Sequence, residues 1–312
     1  MKRSLSAAVI ILLLGFLLKY PREALAASRD GLNLWLNTLL PTLLPFMILT
    51  GILIHTETAE KITAPAKLLW KKLFGLSPSG AYALILGLLC GYPMGAKITS
   101  DMYRHGKIGK REAQYLLTFT NHASPVFIHT YLIHICLEDR ADKKILTMIL
   151  LLSAVFTMFF FRFVIYRNHT VEKKPSSGLK KEPSAARPSG TVLDTSIMNG
   201  FETITRLGGY ILLFSVLSAC VRHYWQPGSA AGYLLLGSLE LTTGLHLLAG
   251  SALDFEMKYL TAAVLTSFGG FCIMAQTKSV LSEELSVLPY LAAKCLNALF
   301  TALLILIFVK IV

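Results

Sequence analysis

The stretch that most constrains this chain runs from Ser79 to Ser124. It reads S-G-A-Y-A-L-I-L-G-L-L-C-G-Y-P-M-G-A-K-I, then a basic link T-S-D-M-Y-R-H-G-K-I-G-K-R-E, then A-Q-Y-L-L-T-F-T-N-H-A-S. An apolar run interrupted by Gly87, Gly91, Pro93 and Gly95 cannot be a plain lipid-facing helix, because each freed amide or carbonyl in hydrocarbon costs several kcal/mol until something pairs with it. Such backbone lines a cavity or packs inside protein. The second apolar segment carries Thr118, Thr120, Asn121, His122 and Ser124 just before Pro125, and a polar cluster at membrane depth is where a solute site is expected. The two segments read as half of a transport site, with Pro93, Asn121 and Ser124 as candidate binding residues.

Composition places this feature in a membrane. Of 312 residues, 54% are hydrophobic and 15% charged, with a mean hydropathy of +0.58, which excludes an ordinary soluble domain. The net charge of +12 does not point to nucleic acid here, because most Lys and Arg lie in short links between apolar runs, where they set orientation. Cys90, Cys136, Cys220, Cys272 and Cys295 are scattered singly. They read as small membrane-buried residues rather than disulfides or metal ligands.

At the amino end, Met1-Lys2-Arg3, the apolar run Leu5 to Leu18 and A-L-A-A at Ala24 to Ala27 have the layout of a signal peptide. Lys19, Pro21, Arg22 and Glu23 separate the run from that site, so an uncleaved first span with a cytoplasmic amino end is the preferred reading. Leu32 to Ile54 contains Pro41 and Pro45, which predict a span kinked or broken at mid-depth. Ala59 to Leu76 mixes lysines with Leu68, Leu69, Trp70, Leu73 and Phe74 at helical spacing, which suits a helix lying in the cytoplasmic interface. The links before Gly80 and after Ser100 are both basic, so the segment between them enters and leaves on one side as a re-entrant hairpin. Ala113 to Cys136 then crosses outward and Ile145 to Tyr166 returns.

Arg167 to Asp194 is rich in Lys, Pro, Ser and Gly and reads as a flexible, basic cytoplasmic linker between two halves. The halves match weakly but in order. Leu40 to Leu53 lies on Ile204 to Leu217, with Pro45 opposite Gly209 as helix breakers; Tyr82 onward lies on Tyr233 onward; Leu116 to Pro125 lies on Val264 to Ile273. Three crossings plus a hairpin in the first half make the second half start from the opposite side. Its hairpin, Ala231 to Leu253, has acidic rather than basic flanks and faces outward. Tyr259 to Lys278 and Leu288 to Phe308 are the last crossings. The expected fold is an all-α polytopic membrane protein, an inverted repeat with broken helices, seven spans and two re-entrant hairpins. Its parts are an N-terminal span (1–30), a first membrane repeat (31–167), the linker (168–195) and a second repeat (196–312).

Among ionisable residues, Glu202 and Arg206 are four apart and share a helix face. They either mark a function or neutralise each other. Glu240, in S-L-E-L-T-T-G with Thr242 and Thr243, lies at the expected tip of the second hairpin and is a candidate for binding or coupling. Lys97 ends the first hairpin. Asn121, Ser124 and Gln276 offer neutral hydrogen bonds near helix breaks, where helix amino ends can also face a carboxylate, and Ser267 joins them from S-F-G-G-F. His122 and His129 are seven apart without an acidic partner, which favours packing over metal binding. No phosphate loop, nucleophile elbow or paired carboxylates are found. Neither an enzyme nor a resident metal or cofactor is expected.

The run G-A-Y-A-L-I-L-G-L-L-C-G-Y-P-M-G-A-K-I-T-S-D-M-Y-R-H-G-K-I, followed by A-Q-Y-L-L-T-F-T-N-H-A-S-P, resembles the YlbJ (SpoVV) family of sporulation integral membrane proteins of endospore-forming bacteria. E-L-T-T-G at Glu240 and S-F-G-G-F at Ser267 resemble its second half. The resemblance implies a Gate domain like that of concentrative nucleoside transporters and ferrous-iron permeases. It also implies movement of dipicolinic acid across the outer forespore membrane. A dianionic pyridine dicarboxylate would suit helix amino ends, Arg206 or Lys97, and neutral amide donors. Transport of another, nucleoside-like solute and a non-transporting regulatory role are the alternatives.

Overall fold

The computed structural model describes residues 2–55, 63–167 and 189–311. Among these there are helices and turns but no strand. In chain order the helices are α1 (Lys2–Lys19), α2 (Pro21–Ile54), α3 (Ala64–Phe74), α4 (Pro78–Cys90), α5 (Met94–Arg104), α6 (Lys110–Leu116) and α7 (Phe127–Cys136). They continue with α8 (Lys143–Ile165), α9 (Ser189–Tyr224), α10 (Ala230–Leu239), α11 (Leu241–Ala249), α12 (Phe255–Phe268), α13 (Gly270–Val280) and α14 (Leu288–Ile311).

Five stretches of described helix are long and apolar enough to cross a bilayer: Pro21–Ile54, Lys143–Ile165, Thr191–Tyr224, Phe255–Val280 and Leu288–Ile307. These account for five of the seven expected spans. The expected crossing from Ala113 to Cys136 is in two pieces, α6 and α7, separated by unwound chain, and the described apolar part of α1 is short. The chain is a polytopic all-α membrane protein.

The break expected at Pro41 and Pro45 does not occur. Helix α2 runs on through both, because the turn at Trp35–Leu39 widens so that the Leu40 amide donates to the Trp35 carbonyl. Pro41 has no amide to offer, and next to it the Thr42 hydroxyl donates back to the Thr38 carbonyl at 2.6 Å. Gly209, matched to Pro45 as a breaker, likewise lies inside the unbroken α9. The boundary set at residues 30 and 31 falls within α2. Residues 168–188 of the expected linker and 56–62 ahead of α3 lie outside the described residues, while 189–195 are already part of α9.

Small residues explain how α2 and α9 pair along their length. A Cβ on Gly31 would stand 2.8 Å from Ser215 Oγ, one on Gly51 3.0 Å from Ser196 Oγ, and one on Gly208 2.6 Å from the Trp35 ring. The contacts run antiparallel. Trp35 Nε1 donates to the Ile204 carbonyl at 2.8 Å, so the ring sits in the groove that Gly208 opens. Between helices in lipid, where apolar burial gives little preference, this close approach is what brings them together.

Helix α3 meets α4 at 84°. Its last carbonyls are covered: Arg162 Nη2 donates to Lys72 O at 2.8 Å and Tyr115 OH to Phe74 O at 3.0 Å. Both hairpins start alike. Ser77 Oγ accepts from Gly80 N at 3.0 Å to cap α4, and Ser229 Oγ accepts from Gly232 N at 3.3 Å to cap α10. In the first hairpin α4 packs along α5, and in the second α10 packs along α11.

The same order of elements therefore recurs on either side of residues 168–188. A long helix (α2, α9) is followed by a hairpin (α4–α5, α10–α11), a broken helix (α6–α7, α12–α13) and a closing helix (α8, α14). Long helix packs on long helix and closing helix on closing helix; α5 touches α13 while α11 touches α7. Each half's hairpin is thus clasped by the other half's broken helix.

The glycines that let the hairpins close should be intolerant. A Cβ on Gly95 would lie 2.0 Å from the Thr120 carbonyl oxygen and one on Gly244 2.1 Å from Gly237 Cα, whereas one on Gly209 meets nothing within 4 Å. Gly95→Ala and Gly244→Ala are expected to destabilise by about 2 kcal/mol or more through overpacking, while Gly209→Ala is neutral or gains up to about 1 kcal/mol. Thermal unfolding of the three purified variants in detergent checks this; equal midpoints would refute it.

Candidate functional site

The tip of the first hairpin and the unwound part of the first broken helix are joined backbone to backbone. Gly91 takes a φ of +80, and a Cβ there would lie 2.7 Å from the Ser124 amide. Next to it, Tyr92 N donates to the His122 carbonyl at 2.7 Å. One turn on, Gly87 and Gly95 face each other around the Thr120 carbonyl, which a Cβ on Gly87 would approach to 2.5 Å. Residues 121–124 lie between helices, and their freed groups are met by the hairpin rather than by lipid.

The second half is built on the same plan with other residues. Gly269 and Gly270 have φ of +85 and +87 and break α12 from α13. A Cβ on Gly270 would stand 2.9 Å from the Ser238 carbonyl near the tip of the second hairpin. That tip is Glu240, whose carboxylate accepts from Thr242 N at 3.2 Å, Thr243 N at 2.7 Å and Thr242 Oγ1 at 2.6 Å. It caps the amino end of α11, where negative charge is favoured. Tyr131 OH on α7 donates to Thr242 O at 2.8 Å and ties the two halves together there.

Between the two breaks lies a buried polar cluster. Asn121 Nδ2 donates to Thr277 Oγ1 at 3.0 Å and to Tyr290 OH at 3.1 Å. From α14, the Lys294 ammonium donates to the Ser267 carbonyl at 3.3 Å, and Asn297 Nδ2 donates to the same oxygen at 3.3 Å while lying 3.5 Å from His122 Nδ1. Thr157 on α8 donates to Asn297 Oδ1 at 3.4 Å, and Ser267 Oγ pairs with Thr301 Oγ1 at 2.6 Å. Lys294 is only 1% exposed and lies 5.8 and 5.7 Å from the ring centroids of Tyr92 and Tyr290. Asn121 Oδ1, His122 Nε2, Thr120 Oγ1 and the Tyr92 hydroxyl are buried without a hydrogen-bond partner. Buried polar groups are nearly always paired, so these four atoms carry unused hydrogen-bonding capacity.

The residues expected from sequence fall into three groups. Asn121 and Ser267 are in the cluster. Pro93, Ser124 and Glu240 with Thr242 and Thr243 shape its walls: Pro93 begins α5, Ser124 Oγ accepts from Phe127 N at 3.2 Å at the start of α7, and Glu240 is consumed in capping. Gln276 is buried on α13 and bonds Cys272 Sγ at 3.2 Å.

Arg206 is elsewhere. It pairs with Glu202 at 2.5 Å, and both side chains are more than half exposed on α9. Lys97 is also apart, paired with Asp101 at 2.5 Å. His122 and His129 do not share a face, because the helix is broken at His122. Cys295 is exposed, unlike the other four cysteines. Tyr92, Thr277, Tyr290, Lys294 and Asn297 went unnoticed. The signal for the α14 residues is in the sequence: Tyr290, Lys294, Asn297 and Thr301 recur at helical spacing as one polar stripe in an apolar span.

Broken helices, hairpin tips and a polar cluster enclosed by both halves define a polytopic membrane protein with an internal polar cluster. End to end, the chain is similar to the sporulation integral membrane protein YlbJ of Bacillus subtilis (strain 168), with 25% identity over 98% of this chain and 82% of the relative. This likeness along nearly the whole chain supports the resemblance to the YlbJ family of sporulation-associated membrane proteins. No family model matches it, and no solved structure does.

The contrast between Asn121 and Arg206 is testable. Asn121→Ala strips the buried Thr277 and Tyr290 hydroxyls of a partner and should cost about 1–3 kcal/mol. Arg206→Ala removes an exposed i,i+4 pair and should stay within about 0.5 kcal/mol. Thermal unfolding in detergent distinguishes them.

Proposed function

We propose that this protein is a sporulation-associated transporter that moves a small anionic solute, dipicolinate, across the outer forespore membrane by alternating access. The observation that carries the reading is the meeting of two hairpin tips and two helix breaks around Asn121, Lys294 and Asn297, where several buried polar atoms have no hydrogen-bond partner. Breaks of this kind supply backbone and helix ends to a bound solute near the bilayer midplane. A buried ammonium without a carboxylate beside it selects for an anion over a neutral nucleoside. The Gate-domain resemblance and the family of the Bacillus subtilis relative support the same reading.

The recurring order of elements supports an inverted repeat, in which the two hairpins open to opposite faces. Substrate then reaches the cluster from one face while the other stays closed, and rocking of one half on the α2–α9 seam reverses access. Nothing in this scheme requires chemistry on the solute, so we take the protein to be a permease without catalytic residues or a cofactor.

Two measurements test the proposal. Proteoliposomes holding the purified protein should take up labelled dipicolinate saturably, with unlabelled nucleoside failing to compete. Uptake no greater than in empty liposomes overturns transport of this solute, and competition by nucleoside turns the reading to the other solute class. In a cysteine-free background, Ser77→Cys and His105→Cys should react with an impermeant thiol reagent from one face, and Gly228→Cys and Ser251→Cys from the other. Reaction of all four from one face defeats the inverted arrangement.

A further inference from the structure

Resting on the transport reading above, we propose that Lys294 and Asn297 form the subsite for a carboxylate of the solute, and that the Ser267 carbonyl holds their place when it is empty. The ammonium is buried, and no carboxylate of the described residues comes within 4.0 Å of it. Its acceptor is the Ser267 carbonyl at 3.3 Å, which it shares with Asn297 Nδ2, also at 3.3 Å. Both contacts lie beyond the usual range of about 2.7–3.2 Å for N–H···O bonds, and well beyond the roughly 2.7–2.9 Å of an ammonium on a carboxylate. Two converging donors with one distant, shared, uncharged acceptor match the demand of a carboxylate, which has lone pairs for both.

The surroundings fit a flat acid. The rings of Tyr92 and Tyr290 both lie near the ammonium, at 5.8 and 5.7 Å to their centroids. Beyond Tyr290, Asn121 holds an amide oxygen without a partner. The placeholder is also free to leave. Ser267 is in the last turn of α12, where carbonyls lack intrahelical partners, and Gly269 and Gly270 follow it with positive φ. Binding of a carboxylate therefore frees the Ser267 carbonyl from Lys294 and Asn297 and leaves the bond from Ser267 Oγ to Thr301 Oγ1 as the tie to the α14 stripe, and that change is the differential contact by which occupancy biases the break between α12 and α13.

Equilibrium dialysis of the full-length protein in detergent, with pyridine-2,6-dicarboxylate and the uncharged pyridine-2,6-dicarboxamide as probes, tests this. Lys294→Met should weaken dicarboxylate binding at least tenfold and Lys294→Arg should largely retain it, with little effect of either on the diamide. Asn297→Asp sets an internal carboxylate against Lys294; it should weaken the dicarboxylate as much while keeping the thermal midpoint at or above that of the unaltered protein, which separates loss of binding from loss of fold. Dicarboxylate affinity within twofold of the unaltered protein in Lys294→Met or Asn297→Asp overturns the subsite, as does failure of the folded, unaltered protein to bind it. Uptake that survives Lys294→Met defeats the subsite alone. Binding that depends on Lys294 in a protein showing no uptake defeats the transport reading alone.

Discussion

An unwound backbone in hydrocarbon persists only where a second backbone meets it. In this protein the contact is made at Gly87, Gly91 and Gly95, which let the first hairpin lie directly against residues 120–124. The bond from Tyr92 N to the His122 carbonyl closes the junction. Every other feature of the site depends on this approach. With a side chain at any of the three glycines, the hairpin stands off and the carbonyls of Thr120 and His122 face apolar surroundings at a cost of several kcal/mol. Gly237, Gly244 and Gly270 do the same work in the second half.

Such junctions need a rigid frame, and the closing helices provide it. Helix α14 packs on both α8 and α12, and its polar stripe reaches Ser267, His122 and Thr157, which belong to three different elements. The loop that leads into α14 is pinned to the base of the first hairpin: Ser282 N donates to Ser100 Oγ at 2.8 Å, Gln114 and Ser286 exchange two hydrogen bonds, and Tyr103 OH bonds Glu284. At the other end, Arg140 stacks on Phe255 at 4.3 Å and fixes the loop before α8 to the start of α12. Each half is thus held by polar contacts near the surface and by glycine contacts at depth.

How much of this the sequence discloses depends on whether the signal is local. Glycine in an apolar run has few uses, so Gly87, Gly91 and Gly95 disclose the hairpin and its tip. Of the two outcomes expected at Pro41 and Pro45, a kink or a break, the break does not occur, because a widened turn just before them carries the helix on, which composition does not encode. Arg206 misleads for another reason: an ionisable residue in an apolar helix hints at function, but only packing says which face it is on, and here it faces outward beside Glu202. Lys294 shows the converse. Its stripe with Tyr290, Asn297 and Thr301 is visible in an apolar span, but its meeting with the Ser267 carbonyl, 27 positions away, and with the Tyr92 ring is a relation that no short window of sequence contains.

The sign of the site follows from how its charges are spent. Glu240 is the acid nearest the tips by chain position, yet its oxygens already accept two amides and a hydroxyl at the amino end of α11, so its charge is met where a helix dipole favours it. Lys294 has no such counterpart, only a distant carbonyl at the end of α12. On the proposed transport reading, a cation entering the cluster would meet Lys294 and the donor side of Asn297, while an anion would meet two donors whose shared acceptor is the Ser267 carbonyl at 3.3 Å. In surroundings of low dielectric such a difference is little screened, and discrimination on that reading would come from the uneven pairing of Glu240 and Lys294.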